Sequence, residues 1–222
     1  MPHTAHQALV VRGGWDGHAP VEATELFTPF LKERGYEVVI CDSLDVYTDA
    51  ALLARTDLIL QCWTMGSLSA DQAKGLRDAV ASGVGLAGWH GGVVDSFRAT
   101  PEYLQLVGGQ FVAHPGGISQ HTLQVVPDRS EHGIVKDLPA TIAVEDEQYW
   151  VLTDSYNDVL ATTTLPVRDG SPWATPITVP AVWTRTWGSG RVFVCTSGHH
   201  PPALEVPEIR TIIERGLLWA SR

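Results

Sequence analysis

Histidines recur at the points where short apolar segments of this sequence stop. His90 lies in a Gly-Trp-His-Gly-Gly segment at 88–92, His114 stands between a Gly-Gly pair and a proline, and His199 follows Ser-Gly. Imidazole binds divalent metals and transfers protons near neutral pH, so these are side chains from which chemistry is expected. Their shared position predicts that they meet at one edge of the fold.

The segment 88–92 follows the Gly-x-nucleophile-x-Gly pattern by which α/β enzymes expose a serine or cysteine. Here His90 occupies the nucleophile position. Imidazole lacks the hydroxyl or thiol that forms a stable acyl intermediate, which disfavours glutamine amidotransferase and esterase reactions. His90 can instead ligate a metal, act as a general base or bind a polar ligand. The alternative is a histidine that only braces the loop.

Three acids stand beside two aromatic residues in the stretch 145–150, where Asp146 and Glu147 precede Tyr149 and Trp150. Acceptors next to aromatic rings are expected where a sugar stacks and its hydroxyl groups are bound. A solvated strand end is the alternative interpretation. Among the tryptophans, three sit where a ligand could stack: Trp15, Trp89 and Trp150.

His90, His114 and His199 are candidate ligands for Zn²⁺ or a similar divalent ion, with Glu147 as a further donor. No HExxH or CxxC spacing supports the assignment. His18 follows the first predicted strand and is expected at the same edge of the sheet. On the residues alone, His114 fits a surface-loop histidine equally well.

Strands and helices alternate through the first half of the chain. Helical patterns cover 20–34, where Pro29 is expected to kink the middle, and 69–82, where Ser69 and Gln72 form a capping box. This alternation predicts a doubly wound, mostly parallel α/β sheet with ligands at the carboxyl ends of its strands. The buried strands are predicted over residues 8–11, 38–40, 58–60 and 84–87.

The second half has a different pattern, with strands linked by turns. It predicts an antiparallel extension of the sheet, a hairpin turn at 187–190 and a closing helix over 207–220. The strands are predicted over residues 121–126, 140–144 and 159–163, with two more within 180–195 that the hairpin turn separates.

Composition narrows the function classes. The 222 residues are 44% hydrophobic and 18% charged, which fits a single domain spanning 1–222 with a large core. A formal net charge of −10 disfavours nucleic-acid and anionic-membrane partners. Gly13 to Gly17 lacks G-x-G-x-x-G and no Walker lysine is present, so no nucleotide cofactor is expected. The low charged fraction suggests a homodimer.

The subcellular compartment follows from the cysteines and the N-terminus. Cys41, Cys62 and Cys195 are odd in number and each lies in an apolar run, which is typical of reduced thiols in the core. The first seven residues contain no basic segment of a secretory signal, and no apolar run reaches the ~18 residues of a membrane span. A cytoplasmic protein is expected.

Seven motifs span nearly the whole chain: 88–92, 108–115, 131–134, 146–149, 188–193, 197–199 and 216–220. Taken in this order, they resemble the trehalose-utilisation (ThuA-like) family. The resemblance implies a flavodoxin-like domain related to class I glutamine amidotransferases, with His90 in place of the cysteine nucleophile. It also implies a role in carbohydrate catabolism, with trehalose, related disaccharides or their keto derivatives as substrates.

Carried onto this sequence, the family's polar positions are matched by His90, His114, Glu147 and His199, with Asp146 and Tyr149 flanking them. Before His18, the pair Trp15-Asp16 departs from the family pattern. The leading hypothesis is a sugar-processing enzyme with His90 or His199 as acid or base and Glu147 as partner. The expected substrate contacts are Trp89, His114, Asp146, Tyr149 and His18. A non-catalytic carbohydrate-binding or regulatory protein is the alternative.

Overall fold

Eleven strands and eight α-helices make up the computed structural model, which describes residues 6–222. The strands are β1 (His6–Gly14), β2 (Tyr36–Cys41), β3 (Leu58–Thr64), β4 (Gly85–Trp89), β5 (Gly109–Ala113), β6 (Ile118–Val125), β7 (Thr141–Glu147), β8 (Trp150–Thr153), β9 (Asp158–Leu165), β10 (Ile177–Trp187) and β11 (Gly190–Cys195). The helices are α1 (Pro20–Glu25), α2 (Thr28–Glu33), α3 (Ala50–Arg55), α4 (Ala70–Ala81), α5 (Gly91–Val94), α6 (Pro101–Val107), α7 (Pro201–Leu204) and α8 (Pro207–Ala220).

Nine strands form one sheet in the order β2-β1-β3-β4-β11-β10-β9-β6-β7. The first five are mutually parallel, and the remaining four continue the sheet in antiparallel fashion. The predicted α/β fold with an antiparallel extension in the C-terminal half is confirmed. Because four successive antiparallel pairings follow β11, strand β7 runs in the same direction as β4 and β11.

Alternate side chains of β1 enter two separate cores, one on each face of the sheet. Ala8 and Val10 pack with α1, α2 and α8, whereas Leu9 and Val11 pack with α3, α4 and α6. A strand buried on both faces must be apolar at successive positions. This requirement explains why the predicted parallel strands are continuous apolar runs, and it makes the sheet doubly wound.

The predicted capping box is present at the start of α4. Ser69 Oγ accepts the N–H of Gln72, and the Gln72 side chain accepts the N–H of Ser69. The predicted helix over 20–34 is instead two helices, and Pro29 lies in the first turn of the second. Proline lacks the N–H that an interior position must donate, so the chain begins a new helix there.

The hairpin predicted at 187–190 is confirmed, since β10 ends at Trp187 and β11 begins at Gly190. The sequence analysis missed helix α6 and the separate two-stranded sheet of β5 and β8, in which Gly109 pairs with Thr153. Within residues 6–222, no helix is both long and apolar enough to cross a membrane.

Candidate functional site

Four strand ends that point to one edge of the fold position the polar side chains of the site. His18 ends the short 3₁₀ helix that follows β1, and His90 directly follows β4. Glu147 is the last residue of β7, and His199 lies in the turn between β11 and α7. We call these four residues the His/Glu cluster. Their ligand atoms all lie within 4.8 Å of one another.

The Glu147 carboxylate lies among three histidine rings. Its Oε2 is 3.2 Å from Nε2 of His90 and 3.2 Å from Nδ1 of His199. Its Oε1 is 3.7 Å from Nε2 of His114. The Nδ1 atom of His199 is buried and has no partner of hydrogen-bond geometry within residues 6–222, so its contact with Glu147 is ionic. The convergence predicted for His90, Glu147 and His199 is therefore present in the structure.

His90 occupies a sharp turn with φ 47° and ψ −140°. Such a positive φ is strained for a residue with a side chain, at a cost of about 1–3 kcal/mol. The turn is held by the His90 N–H, which donates to the Cys195 carbonyl at 2.7 Å. A Cβ at Gly91 would come within 2.2 Å of the His18 ring, and one at Gly92 within 2.8 Å of the Cys62 Cα. The glycines of the elbow are therefore required by close packing.

Hydrogen bonds from outside the cluster orient two of the histidine rings. His90 Nδ1 lies 2.8 Å from the carbonyl oxygen of Thr196, and His18 Nδ1 lies 2.8 Å from Oγ1 of Thr64. A carbonyl oxygen only accepts, so Nδ1 of His90 carries the proton. Its Nε2 is the ring nitrogen that faces Glu147. Thr64 and Thr196 follow apolar runs without a motif of their own, and the sequence analysis missed them.

The residues of the cluster differ in charge, because burial and neighbouring groups shift their pKa values in different directions. Burial, reinforced by the neighbouring His90 and His199, lowers the pKa of His18 to about 3, so this ring is neutral at physiological pH. Burial opposes ionisation of Glu147, yet contacts with His199 and His90 hold its pKa well below the usual range. The Glu147 carboxylate in turn raises the pKa of His199, against the effect of burial. The result is an ionised carboxylate beside one neutral and one proton-holding imidazole.

Asp146 supports the site from behind. The residue is fully buried, and its Oδ1 accepts the backbone N–H of Glu147 at 2.9 Å and of His199 at 3.2 Å. Its Oδ2 accepts the N–H of Gly198 at 2.6 Å. The sequence analysis placed Asp146 among the substrate contacts. The structure instead uses its oxygens to tie the end of β7 to the turn after β11.

The other expected substrate contacts lie in different environments. Tyr149 is buried against His90, with ring centroids 3.9 Å apart. The His114 side chain is 43% exposed at the open side of the cluster. Trp89 is 1% exposed and packs against Phe27 in the core, so it does not line the cluster. Backbone alternation at the end of β4 turns Trp89 away from the edge that His90 reaches.

The possible metal ligands differ from the sequence expectation at one position. The sequence analysis named His90, His114 and His199, whereas the group with converging ligand atoms contains His18 and not His114. Three imidazole nitrogens and a carboxylate oxygen form a donor set that suits Zn²⁺ and related divalent ions. His18 enters this set because β1 and β4 lie on either side of β3 and end at the same edge.

The fold and the site define a flavodoxin-like α/β protein with histidine at its elbow. The ThuA family, described as "Trehalose utilisation", matches residues 7–220. The chain belongs to this family, as the sequence motifs predicted. No curated protein matches the sequence.

Solved structures share the architecture. A ThuA-like protein from Bacteroides uniformis has a TM-score of 0.75 at 18% identity and covers 97% of this chain and 91% of that chain. A ThuA-like protein from Parabacteroides merdae has a TM-score of 0.75 at 15% identity, covering 98% and 90%. A cytoplasmic protein from Salmonella typhimurium LT2 has a TM-score of 0.66 at 15% identity, covering 97% and 100%. At these identities the likeness shows the fold alone.

Proposed function

We propose that this protein is a carbohydrate-processing enzyme whose His/Glu cluster holds a divalent cation such as Zn²⁺. The observation that carries the proposal is the contact between His90 and Glu147. Because Nδ1 of His90 is committed to the Thr196 carbonyl, its Nε2 is the ring nitrogen that faces a carboxylate oxygen 3.2 Å away. Two electron-rich atoms at this distance require a cation or a second proton between them.

The geometry of the cluster suits a bound ion. Neighbouring ligands about 2.0–2.2 Å from one ion lie about 3–3.5 Å apart, and both His90 and His199 are 3.2 Å from Oε2 of Glu147. The buried Nδ1 of His199 contacts the same carboxylate oxygen, and after loss of its proton it would be a further nitrogen ligand. Thr64 and Thr196 hold the rings of His18 and His90 from outside, an arrangement typical of metal-binding histidines.

The chain's own residues then divide the remaining work. His114, exposed and 3.7 Å from Oε1 of Glu147, is placed to move a proton to or from a bound sugar. Tyr149 covers His90 on its buried side and excludes water there. Burial raises the pKa of the Tyr149 phenol, so the ring stays neutral. When bound, the cation would polarise a carbonyl or hydroxyl oxygen of the sugar.

Membership of a family described as trehalose utilisation supports a sugar as the ligand. Trehalose, a related disaccharide or an oxidised derivative is the proposed substrate class. Glutaminase activity is not part of the proposal. Burial raises the pKa of both the Cys62 and the Cys195 thiol to about 12, so neither forms the thiolate that acyl transfer needs.

A metal-free acid–base site is the second candidate, and the electrostatics of Glu147 and His199 favour it. Glu147 stays ionised and favours the protonated form of His199. In that form His199, or His90 in its place, serves as the general acid, and the ionised Glu147 orients the ring and stabilises its positive charge while solvent returns the proton.

Elemental analysis separates the two candidates. The purified protein, incubated with Zn²⁺ and then dialysed, is compared with the double variant His90→Ala, His199→Ala and with a control double variant, His6→Ala, His132→Ala, outside the cluster. About one ion per chain in the wild type and the control, with none in the cluster variant, supports the metal site. No retained ion in the wild type leaves the metal-free candidate.

Turnover is then measured on a panel of trehalose, sucrose, maltose and their keto derivatives, with products identified by mass spectrometry. We expect the cluster variant to lose the activity of the wild type and the control variant to keep it. Tight sugar binding without product after prolonged incubation would favour a non-catalytic carbohydrate-binding protein. Equal turnover by the wild type and the cluster variant would contradict the proposed site.

A further inference from the structure

We propose that Trp15 is a sugar-stacking platform beside the His/Glu cluster. This inference deepens the proposed function and rests on it. The indole of Trp15 is 48% exposed, and its ring lies edge-to-face with the His18 ring at a centroid distance of 4.8 Å. A large apolar ring is thus open to solvent while it contacts a member of the cluster.

The position of the indole is built into the backbone. A Cβ at Gly17 would lie 2.3 Å from Cζ2 and 2.4 Å from Cη2 of Trp15, so a side chain at 17 would displace the ring from its present position. The N–H of Trp15 donates to the carbonyl of Thr64 at 3.2 Å. The hydroxyl of Thr64 also lies 2.8 Å from Nδ1 of His18. The same residue therefore anchors both the platform and the neighbouring histidine.

Single exposed apolar side chains are ordinary on protein surfaces, so exposure alone does not indicate a site. The surroundings distinguish Trp15 from the other tryptophans near the strand ends. Trp89 is buried in the core, and Trp150 packs edge-on against Trp173 with ring centroids 5.3 Å apart. Of these, Trp15 is about half exposed and also contacts the His/Glu cluster through His18.

The chemistry of this arrangement suits a neutral pyranose. An aromatic face binds the apolar C–H face of a sugar ring, while the sugar hydroxyl groups need hydrogen-bond partners at its rim. A ring stacked on Trp15 would lie next to His18, where its hydroxyl groups could reach the polar atoms of the His/Glu cluster.

Isothermal titration tests the inference with trehalose, sucrose and glucose, of which the tightest-binding sugar serves as the probe. Four proteins are compared: the wild type, Trp15→Ala, Trp15→Phe and the control Tyr156→Ala. Tyr156 is 59% exposed and contacts Thr186 near the start of the β10–β11 hairpin, at the opposite edge of the sheet. We expect Kd to rise about tenfold in Trp15→Ala and less in Trp15→Phe, with no change in the control.

The metal content of each variant is measured in parallel, because Trp15 also touches His18. Unchanged metal content with weakened sugar binding is the expected result. Sugar affinity of Trp15→Ala equal to that of the wild type would overturn the platform and leave the proposed function standing. Loss of metal in Trp15→Ala would also overturn it, since Trp15 would then act through His18. A wild type that binds none of these sugars would also overturn the platform, whereas the proposed function stands or falls with its own metal and turnover measurements.

Discussion

The Nε2 atom of His90 lies 3.2 Å from Oε2 of Glu147, although the two residues belong to strands at distant positions in the sheet. Because the Nδ1 proton of His90 is donated to a carbonyl, Nε2 is the nitrogen that makes this contact, and a proton or a cation must lie between it and the carboxylate. The turn after β4 therefore presents an imidazole nitrogen to the carboxylate at the end of β7. Four predictions follow from this relationship and from the residues that maintain it.

Glu147→Gln removes the charge at the centre of the cluster and keeps its shape. We expect the affinity for Zn²⁺ to fall at least about 100-fold, because changes to residues that merely orient ligands already reduce metal affinity by about 10–100-fold. Competition with a chromophoric chelator measures the change. Glu145→Gln is the matched control, since Glu145 is exposed and accepts a hydrogen bond from the Gln120 side chain. Equal affinities of the two variants would argue against Glu147 as a ligand.

Asp146→Asn tests the support behind the cluster. The amide nitrogen would face backbone N–H groups where the carboxylate now accepts three hydrogen bonds. Hydrogen bonds to charged groups contribute about 1.5–3 kcal/mol each, so we expect the free energy of unfolding to fall by about 2–3 kcal/mol. Urea denaturation measures this value. The control is Asp128→Asn, because Asp128 is exposed. Equal free energies of unfolding of the two variants would show that the hydrogen bonds of Asp146 do not stabilise the fold.

The low pKa of His18 predicts how the free energy of unfolding of the metal-free protein depends on pH. Its pKa is about 3 in the folded state and about 6.5 when unfolded, so below pH 6.5 the unfolded chain binds the extra proton. Stability from His18 is therefore present above pH 6.5 and is lost as the pH falls toward 3. Relative to His18→Asn, the wild type should lose up to about 1.4 kcal/mol per pH unit in this range. Parallel stability curves would contradict the low pKa.

The glycines of the elbow differ from glycines elsewhere in their tolerance of a methyl group. In Gly92→Ala the new Cβ would lie 2.8 Å from the Cys62 Cα, so backbone must move. We expect the free energy of unfolding to fall by about 1–3 kcal/mol, the usual effect of overpacking. Gly133→Ala, whose Cβ would meet nothing within 4 Å, should leave stability nearly unchanged. Equal thermal midpoints of the two variants would refute the close packing.

Local chemistry explains what could be predicted from the sequence alone. The capping box at Ser69, the hairpin at 187–190 and the elbow around His90 each depend on residues close together in the chain. The alternation of apolar runs with helical patterns was sufficient to predict the doubly wound sheet. The rule that ligands gather at the carboxyl ends of strands then placed His90, His114 and His199 at one edge, and Glu147 was added for the chemistry of its carboxylate and from the family resemblance.

Long-range packing decided the rest. The alternation of side chains along a strand does not reveal which face of the sheet a given side chain enters. Trp89 was therefore predicted to contact the ligand, whereas in the structure it lies in the core. The converging ligand atoms include one from His18, where His114 had been predicted from the sequence. This difference depends on the order of strands in the sheet. Asp146 meets the N–H groups of Gly198 and His199 through a contact between distant parts of the chain. The sequence alone determined which residues have the right chemistry, and only the tertiary structure decided which of them converge, because convergence depends on the packing of segments far apart in the chain.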